Sequence, residues 1–275
     1  MPRRVSERYR TAFVTGAASG LGRAFAGMLV AEGVRVWGTS RDPARLDRQA
    51  GILPVALDLA DAAGAAAAFD RASREAGEGF DIVVNNAGYG VFGEFAAVEF
   101  ADWQAQLDAM LGATLRIAHA AWKSMGARGR GVLVNVSSVG ADLPLPYMSG
   151  YNVCKAGLSA LSESLVFESR GSAVRVIDFR PGDHRTAFND NMRTAPGSLA
   201  DSPRVAAAWR ALESNLRSSP PAARAASDLR AALLRNRSGI VRSGSFSATS
   251  FRCRSGSTRT IFFDPNWARS WTRKR

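Results

Sequence analysis

The sequence predicts an α/β fold in which one doubly wound parallel sheet carries helices on both faces. Short apolar runs alternate with longer helical segments, which is the pattern of parallel strands joined by crossover helices. Glycine and polar motifs directly follow these runs, at the edge where such sheets bind ligands. With 275 residues, of which 46% are hydrophobic, the chain is long enough to bury the core of a single large domain.

Six strands and the helices between them follow from the hydrophobic pattern. The fourth apolar run is continuous, as expected for a strand that is buried on both faces. The predicted strands are 12–15, 34–38, 52–57, 81–84, 132–136 and 174–179. The predicted helices are 24–32, 62–76, 99–125 and 151–169.

A glycine-rich turn joins the first strand to the first helix. Gly16, Gly20 and Gly22 permit a sharp turn and a close approach of the backbone to a ligand, and Ser19 and Leu21 lie between them. The helix that follows offers free N–H groups and the positive end of its dipole to a pyrophosphate. In a chain of alternating strands and helices, this turn favours a dinucleotide site over an ordinary connection.

The residues after the second strand favour NADP(H) over NAD(H). Sites for NAD usually place an acidic residue there, which binds the ribose 2′-hydroxyl. This chain has Thr39, Ser40 and Arg41 instead, and an arginine attracts a 2′-phosphate and can bind it bidentately. The hydroxyl of Ser19 offers a further donor. The alternative interpretation of Arg41 is a solvated loop cation.

A tyrosine and a lysine, Tyr151 and Lys155, lie one turn apart on the same face of the last predicted helix. A nearby ammonium is expected to lower the pKa of the phenol from about 10, toward the range in which it acts as a general acid or base. Ser138, after the fifth strand, is placed to hydrogen-bond the same substrate oxygen. Taken alone, this spacing also suits an ordinary surface helix.

The net charge of +12 is concentrated in the C-terminal part of the chain. From residue 217 onward, 13 Lys and Arg oppose two Asp, so the preceding 216 residues carry a net charge of only +1. We therefore expect no nucleic-acid partner for the protein as a whole. We also expect no membrane span, because no apolar run reaches the roughly 18 residues needed. Cys154 and Cys253 form no disulfide framework, which favours a cytoplasmic location.

These motifs together resemble those of the short-chain dehydrogenase/reductase family, over residues 9–190. The resemblance implies a Rossmann fold in which the tyrosine is the general acid or base, the serine orients the substrate carbonyl and the lysine holds the nicotinamide ribose. It also implies that Asp58 contacts the adenine and that Thr186 contacts the carboxamide. The predicted catalytic residues are Ser138, Tyr151 and Lys155. The predicted cofactor-binding residues are Gly16, Ser19, Gly20, Leu21, Gly22, Arg41, Asp58, Asn85, Ala87, Gly88, Tyr151, Lys155, Pro181, Gly182 and Thr186.

Two stretches depart from the family pattern. Ala109 stands where the family has an asparagine in a proton relay, with Asp108 beside it as a candidate substitute. If the asparagine side chain sets the local bend of the helix, alanine, the strongest helix former, would leave it straighter; if backbone carbonyls hold the relay water, the missing side chain matters little. Residues 236–275 are rich in Arg and Ser where the family has a seventh strand and an apolar end. The predicted domain therefore spans residues 1–235, with a substrate loop and lid at 183–219 and an atypical basic tail after it.

The expected function is that of an NADP(H)-dependent alcohol dehydrogenase or ketone reductase acting on a small molecule. The apolar positions of 205–212 favour an apolar substrate, but a helix packed on the core gives the same pattern. One alternative, suggested by Ala109, is a nucleotide-binding protein that has lost turnover. Another is a tail that binds nucleic acid or an anionic surface through Phe251, Trp267 and Trp271. The resemblance further implies a homodimer or homotetramer that pairs helices 99–125 and 151–169.

Overall fold

The computed structural model describes residues 3–46, 51–194 and 198–244, and nine strands lie in these ranges. They are β1 (Thr11–Val14), β2 (Arg35–Ser40), β3 (Ile52–Ala56), β4 (Ile82–Asn85), β5 (Val91–Phe92), β6 (Gly131–Val136), β7 (Val174–Pro181), β8 (Arg193–Thr194) and β9 (Gly239–Ser243). Seven of them form a parallel sheet in the order β3-β2-β1-β4-β6-β7-β9, and β5 pairs separately with β8. The predicted doubly wound parallel sheet is confirmed.

Eight α-helices lie in the same described ranges. They are α1 (Gly20–Ala31), α2 (Ala62–Glu75), α3 (Phe100–Leu107), α4 (Thr114–Arg128), α5 (Ser149–Glu168), α6 (Ser198–Asp201), α7 (Pro203–Ser218) and α8 (Ala222–Arg235). None of the helices in the described ranges is both long enough and apolar enough to cross a bilayer.

The core has two layers because successive side chains of a strand point to opposite faces of the sheet. Val14, with its counterparts on the other strands, packs against α1 and α8 on one face. Phe13 and its counterparts pack against α2 and α4 on the other. Burial on both faces explains why the central strands are apolar throughout.

The predicted helix 99–125 is three elements rather than one. A π-helix, Asp108–Ala113, separates α3 from α4 and includes Ala109, so alanine at this position does not make the helix regular. Alanine propensity did not decide the local geometry, because Ala109, Met110 and Ala113 are all held in the buried interior. Such wide turns often mark functional sites.

The sheet continues past residue 235, where the predicted domain ends. Strand β9 extends the sheet by pairing in parallel with β7, from Gly239 opposite Ile177 to Ser243 opposite Pro181. This edge strand has only Ile240 and Val241 as apolar residues, too short a run to be recognised among arginines and serines. The rest of the predicted tail, 245–275, lies outside the described residues, as do the aromatic residues at 251, 267 and 271.

Candidate active site

One cavity of about 550 Å³ opens at the carboxyl ends of the strands. It lies where the strand order reverses, since β1 is followed in the chain by β2 and β3 on one side and by β4 on the other. Ligands of doubly wound sheets bind at this point. Of the predicted site residues, the cavity is lined by Gly16, Ser19, Gly20, Leu21, Arg41, Asp58, Ala87, Gly88, Ser138, Tyr151, Lys155, Pro181, Gly182 and Thr186.

Two predicted cofactor residues, Gly22 and Asn85, do not line the cavity. A Cβ added to Gly22 would meet the Gly16 carbonyl and would lie 2.5 Å from Nδ2 of Asn86, so this glycine allows the turn to pack on the helix. Asn85 is buried, and its side-chain amide donates to Oδ1 of Asn135 at 2.9 Å. Both residues therefore have a structural role outside the lining of the cavity.

The glycine turn presents its backbone to the cavity. Gly16 has φ +69° and Gly20 has φ +53°, a conformation that favours glycine at both positions. Oγ1 of Thr15 accepts bonds from the backbone N–H groups of Asn86 and Ala87, at 2.8 and 2.9 Å, which joins the turn to the loop after β4. Since the N-terminus of α1 opens directly beyond the turn, the residues present fit the pyrophosphate of a nicotinamide dinucleotide.

The far end of the cavity is basic. Arg41 and Arg45 line it beside Asp58, whose carboxylate accepts a bond from the backbone N–H of Ala60 at 3.0 Å. Arg41 is exposed and forms no ion pair with a carboxylate in the described ranges. This guanidinium therefore remains available to an anionic group bound at this end.

Ser138, Tyr151 and Lys155 are brought together at the opposite end. Oγ of Ser138 accepts a 2.9 Å bond from the backbone N–H of Gly140 and so caps the short 3-10 helix Val139–Ala141. Nζ of Lys155 lies 5.6 Å from the centroid of the Tyr151 ring and donates to the carbonyl oxygen of Val136 at 2.8 Å. The end of β6 and the first turns of α5 thus position all three side chains.

The pKa of Tyr151 differs from the expectation. Its pKa is raised to about 12, chiefly by burial and in smaller part by the negative charge of Asp183, while the bond with the Ser138 hydroxyl lowers it. Burial also lowers the pKa of Lys155 to about 8. The expected lowering of the phenol pKa by the lysine is absent, because the ammonium lies over the ring and bonds to the Val136 carbonyl. Desolvation of both groups is the larger effect.

A buried arginine that the sequence analysis missed holds the segment around Ser138. Arg180 donates to Asp178, to Glu163 and, in a short contact, to Asp142 in the turn after Ser138. Asp178 also accepts a short bond from the hydroxyl of Ser137. The arginine therefore connects β7, α5 and the turn that carries the serine. Arg180 lies in an apolar strand and belongs to no sequence motif. Its role is therefore visible only from its ion pairs with residues distant in sequence.

The π-helix places a methionine against the loop after β4. The Met110 side chain contacts Gly88, and its sulfur accepts a 3.4 Å bond from the backbone N–H of Tyr89. Ala109 lines the same cavity, whereas Asp108 accepts a bond from the exposed Gln104 and does not line it. Asp108 is therefore not placed to replace an asparagine side chain in the cavity.

The walls near Tyr151 combine apolar and charged groups. The Phe188 ring packs edge-on against that of Tyr151, with centroids 5.8 Å apart. Other apolar residues of this wall are Leu145, Met148, Leu212 and Leu216. Asp183 and Arg193 line the cavity as well. The segment 183–219 thus contributes to the cavity from the loop after β7 and from helix α7.

Comparison with known proteins identifies the family. A model described as short chain dehydrogenase matches residues 10–197. The chain is a short-chain dehydrogenase. By class, this short-chain dehydrogenase is an NAD(P)-dependent oxidoreductase, and the family resemblance stated from the sequence is confirmed. It spans 65% to 75% of the length of the curated relatives that it matches.

Relatives illustrate both the chemistry and the cofactors of the family. The chain is 36% identical over 190 residues to a serine 3-dehydrogenase of Agrobacterium fabrum, covering 65% of this chain and 73% of that protein. A short-chain dehydrogenase/reductase of Burkholderia phymatum, solved in complex with NAD, has a TM-score of 0.75 and 25% identity, covering 86% of this chain and 89% of that one. A metagenomic short-chain oxidoreductase solved with NADP has a TM-score of 0.59 and 34% identity, covering 62% and 81%. These neighbours support a nicotinamide cofactor.

Proposed function

We propose that the protein is an NADP(H)-dependent alcohol dehydrogenase or ketone reductase that acts on a small molecule. The observation that carries this proposal is the single cavity that joins the glycine turn to Ser138, Tyr151 and Lys155. A dinucleotide held along this cavity extends from the basic end near Arg41 to the phenol at the other end. The apolar wall around Phe188 supports a substrate with a carbon skeleton packed against the ring.

The residues of the chain perform the proton chemistry. When bound, the nicotinamide supplies or accepts the hydride at the carbonyl carbon. In the direction of reduction, the Tyr151 phenol donates its proton to the carbonyl oxygen, which becomes the hydroxyl of the alcohol. The Ser138 hydroxyl donates a hydrogen bond to the same oxygen and stabilises the charge that develops there. Lys155, whose ammonium bonds to the Val136 carbonyl beside the Tyr151 ring, holds the nicotinamide ribose, the role implied by the family resemblance.

Replacement of Tyr151 by Phe tests this role. The substitution removes the proton donor and keeps the ring that packs on Phe188. We expect the turnover number for ketone reduction to fall by about 10²–10⁴, while NADPH titration shows that the cofactor still binds. Near-normal turnover by the variant would contradict the proposed roles. Binding of NADPH without turnover of any ketone or alcohol by the wild type would favour the alternative of a binding protein.

The proposed preference for NADP(H) rests on Arg41 and Arg45 at the rim of the cavity. Arg41→Ala should weaken NADPH binding much more than NADH binding, because only NADPH carries the 2′-phosphate. Titration of both cofactors against wild type and variant measures this difference. Equal affinities of the wild type for the two cofactors would refute the preference.

We also propose that the protein is a homodimer or homotetramer. Helix α5 exposes Val153 and Phe167, each with 55% of its surface accessible, and α4 exposes Leu115. Large apolar side chains on these helices favour the paired arrangement implied by the family resemblance. Sedimentation of the full chain at micromolar concentration tests the assembly, and a monomer would contradict it.

A further inference from the structure

Asp183 occupies the catalytic end of the cavity. It follows Pro181 and Gly182 at the carboxyl end of β7 and lines the same cavity as Tyr151 and Phe188. Its charge acts on the Tyr151 phenol, which indicates that the carboxylate and the proposed proton donor share this end. A substrate positioned for reaction at Tyr151 therefore has a carboxylate close to its reacting carbon.

This carboxylate accepts no hydrogen bond and forms no ion pair within 4 Å in the described part of the chain. Burial raises its pKa, and the charge of the adjacent His184 lowers it in smaller part. Its buried neighbour His184 is engaged elsewhere: the Nδ1–H group donates to the carbonyl oxygen of Gly182 at 3.1 Å, and Nε2 lies 3.2 Å from the hydroxyl of Ser243. Asp183 is thus a half-buried carboxylate to which the described residues donate no hydrogen bond.

The arginines of the region are already committed or lie at the other end. Arg180 pairs with Asp142, Glu163 and Asp178. Arg193 pairs with Asp102 at 3.3 Å and lies over the ring of Tyr89, 5.2 Å from its centroid. Arg41 and Arg45 line the end that the proposed function assigns to the 2′-phosphate. Arg185, two residues along the chain, is exposed and does not line the cavity. A positive group that matches Asp183 inside the cavity would therefore come from a ligand.

We infer that Asp183 binds a protonated amino group of the substrate, so that the protein selects amino alcohols and the corresponding amino ketones. This inference rests on the proposed function and names its substrate class. An alkylammonium supplies both the charge and the hydrogen-bond donors that the carboxylate lacks. The ring of Phe188, which packs edge-on against that of Tyr151, lines the same cavity and can attract a cation to its face. The apolar residues around them accommodate the short carbon chain that joins the amine to the reacting carbon.

Three alcohols that differ in one group test the inference. The probes are 1-amino-2-propanol, 1,2-propanediol and 2-butanol, which carry an ammonium, a hydroxyl and a methyl group at the same position. The variant Asp183→Asn keeps the shape of the side chain and removes its charge. Asp190→Asn, an exposed carboxylate of the same loop that does not line the cavity, is the matched control. The measured quantity is the ratio of kcat/KM for the amine to kcat/KM for 2-butanol.

In the wild type, we expect kcat/KM relative to that for 2-butanol to be larger for the amine than for the diol. In Asp183→Asn, the ratio for the amine should fall by about tenfold or more because a charge-assisted bond is lost. Asp190→Asn should leave it unchanged. An equal ratio in wild type and Asp183→Asn would overturn the inference, as would turnover of 2-butanol but not of the amine. Loss of NADP affinity in Asp183→Asn with an unchanged ratio would assign the carboxylate to the cofactor instead.

A binding measurement separates this inference from the proposed function. Calorimetric titration of 1-amino-2-propanol into the NADPH complex reports on Asp183 even if no alcohol is turned over. Binding by the wild type that weakens about tenfold in Asp183→Asn supports the inference without requiring catalysis. Absence of binding by the wild type would overturn it, whereas absence of turnover with intact binding would overturn only the proposed function.

Discussion

Gly22 and Gly27 lie on the same helix, α1, and substitution of each by alanine should have opposite effects. Alanine is a better helix former than glycine by about 0.5–1 kcal/mol. At Gly27, which is exposed, an added Cβ meets no atom within 4 Å, so Gly27→Ala should stabilise the fold by about that amount. At Gly22 the same Cβ would overlap the Gly16 carbonyl, lie 2.8 Å from its carbon and lie 2.5 Å from Nδ2 of Asn86.

The overlap at Gly22 involves backbone, which cannot move aside as a flexible side chain does. Asn86 is also held, since its side-chain amide donates to the Thr15 carbonyl oxygen at 2.9 Å. Overpacking of this kind costs about 1–3 kcal/mol, which exceeds the gain in helix propensity. Because the gain in helix propensity is common to both variants, we expect the free energy of unfolding of Gly22→Ala to be lower than that of Gly27→Ala by the overpacking cost, about 1–3 kcal/mol.

Urea unfolding and NADPH titration of the two variants measure the outcome. Gly22→Ala displaces the Gly16 carbonyl, so NADPH affinity should fall by about tenfold or more, whereas Gly27→Ala should leave it unchanged. Equal unfolding free energies for the two variants would refute the reasoning from the overlap. Equal NADPH affinities would show that the turn tolerates the displacement and that the glycine is not required for binding.

The other predictions concern stability, pH and assembly. Lys155 has a lowered pKa of about 8 in the folded protein, so folding disfavours its charged form. The free energy of unfolding should therefore rise by up to about 3 kcal/mol as the pH increases from about 8 toward the unfolded pKa near 10.5. Urea unfolding of Lys155→Met should lack this rise. Arg180→Met should lower the free energy of unfolding by about 3–5 kcal/mol because it leaves Asp178 buried and unpaired. In contrast, Arg130→Met removes an exposed pair with Glu78 and a 3.5 Å contact with Asp81, which keeps its pair with Arg128, and should cost less than about 1 kcal/mol in the same assay. Phe167→Glu should shift the assembly toward monomer in sedimentation, and an unchanged sedimentation coefficient would exclude α5 from the interface.

Local sequence signals predicted the sheet and most of the cavity lining. The apolar runs place the first six strands of the large sheet, and the glycine turn identifies the start of α1, because both patterns depend on neighbouring residues. Ser138, Tyr151 and Lys155 were predicted to share a site and do line one cavity. Their role in catalysis stays a prediction. Spacing gave their positions but not the desolvation that raises the pKa of the phenol.

Features that depend on distant residues were missed. Strand β9 is held by backbone pairing with β7, which leaves little trace in its own composition. Arg180 forms ion pairs with the carboxylates at positions 142, 163 and 178, which come together only when the chain folds. Asp183 was not singled out within the predicted substrate loop 183–219, since its position beside Tyr151 is visible only when the cavity is known.

The π-helix Asp108–Ala113 accommodates one extra residue without rotating the helix that follows it. A π-turn contains one residue more than the α-helical turn it replaces. Deletion of one residue there should therefore restore a regular α-helix and leave the buried face of α4, with Ile117, Ala121 and Met125, against the sheet. Deletion of one residue within α4 would instead rotate the residues after it by about 100° and turn part of that face away from the sheet. The six-residue π-helix should therefore tolerate the loss of one residue better than α4 does.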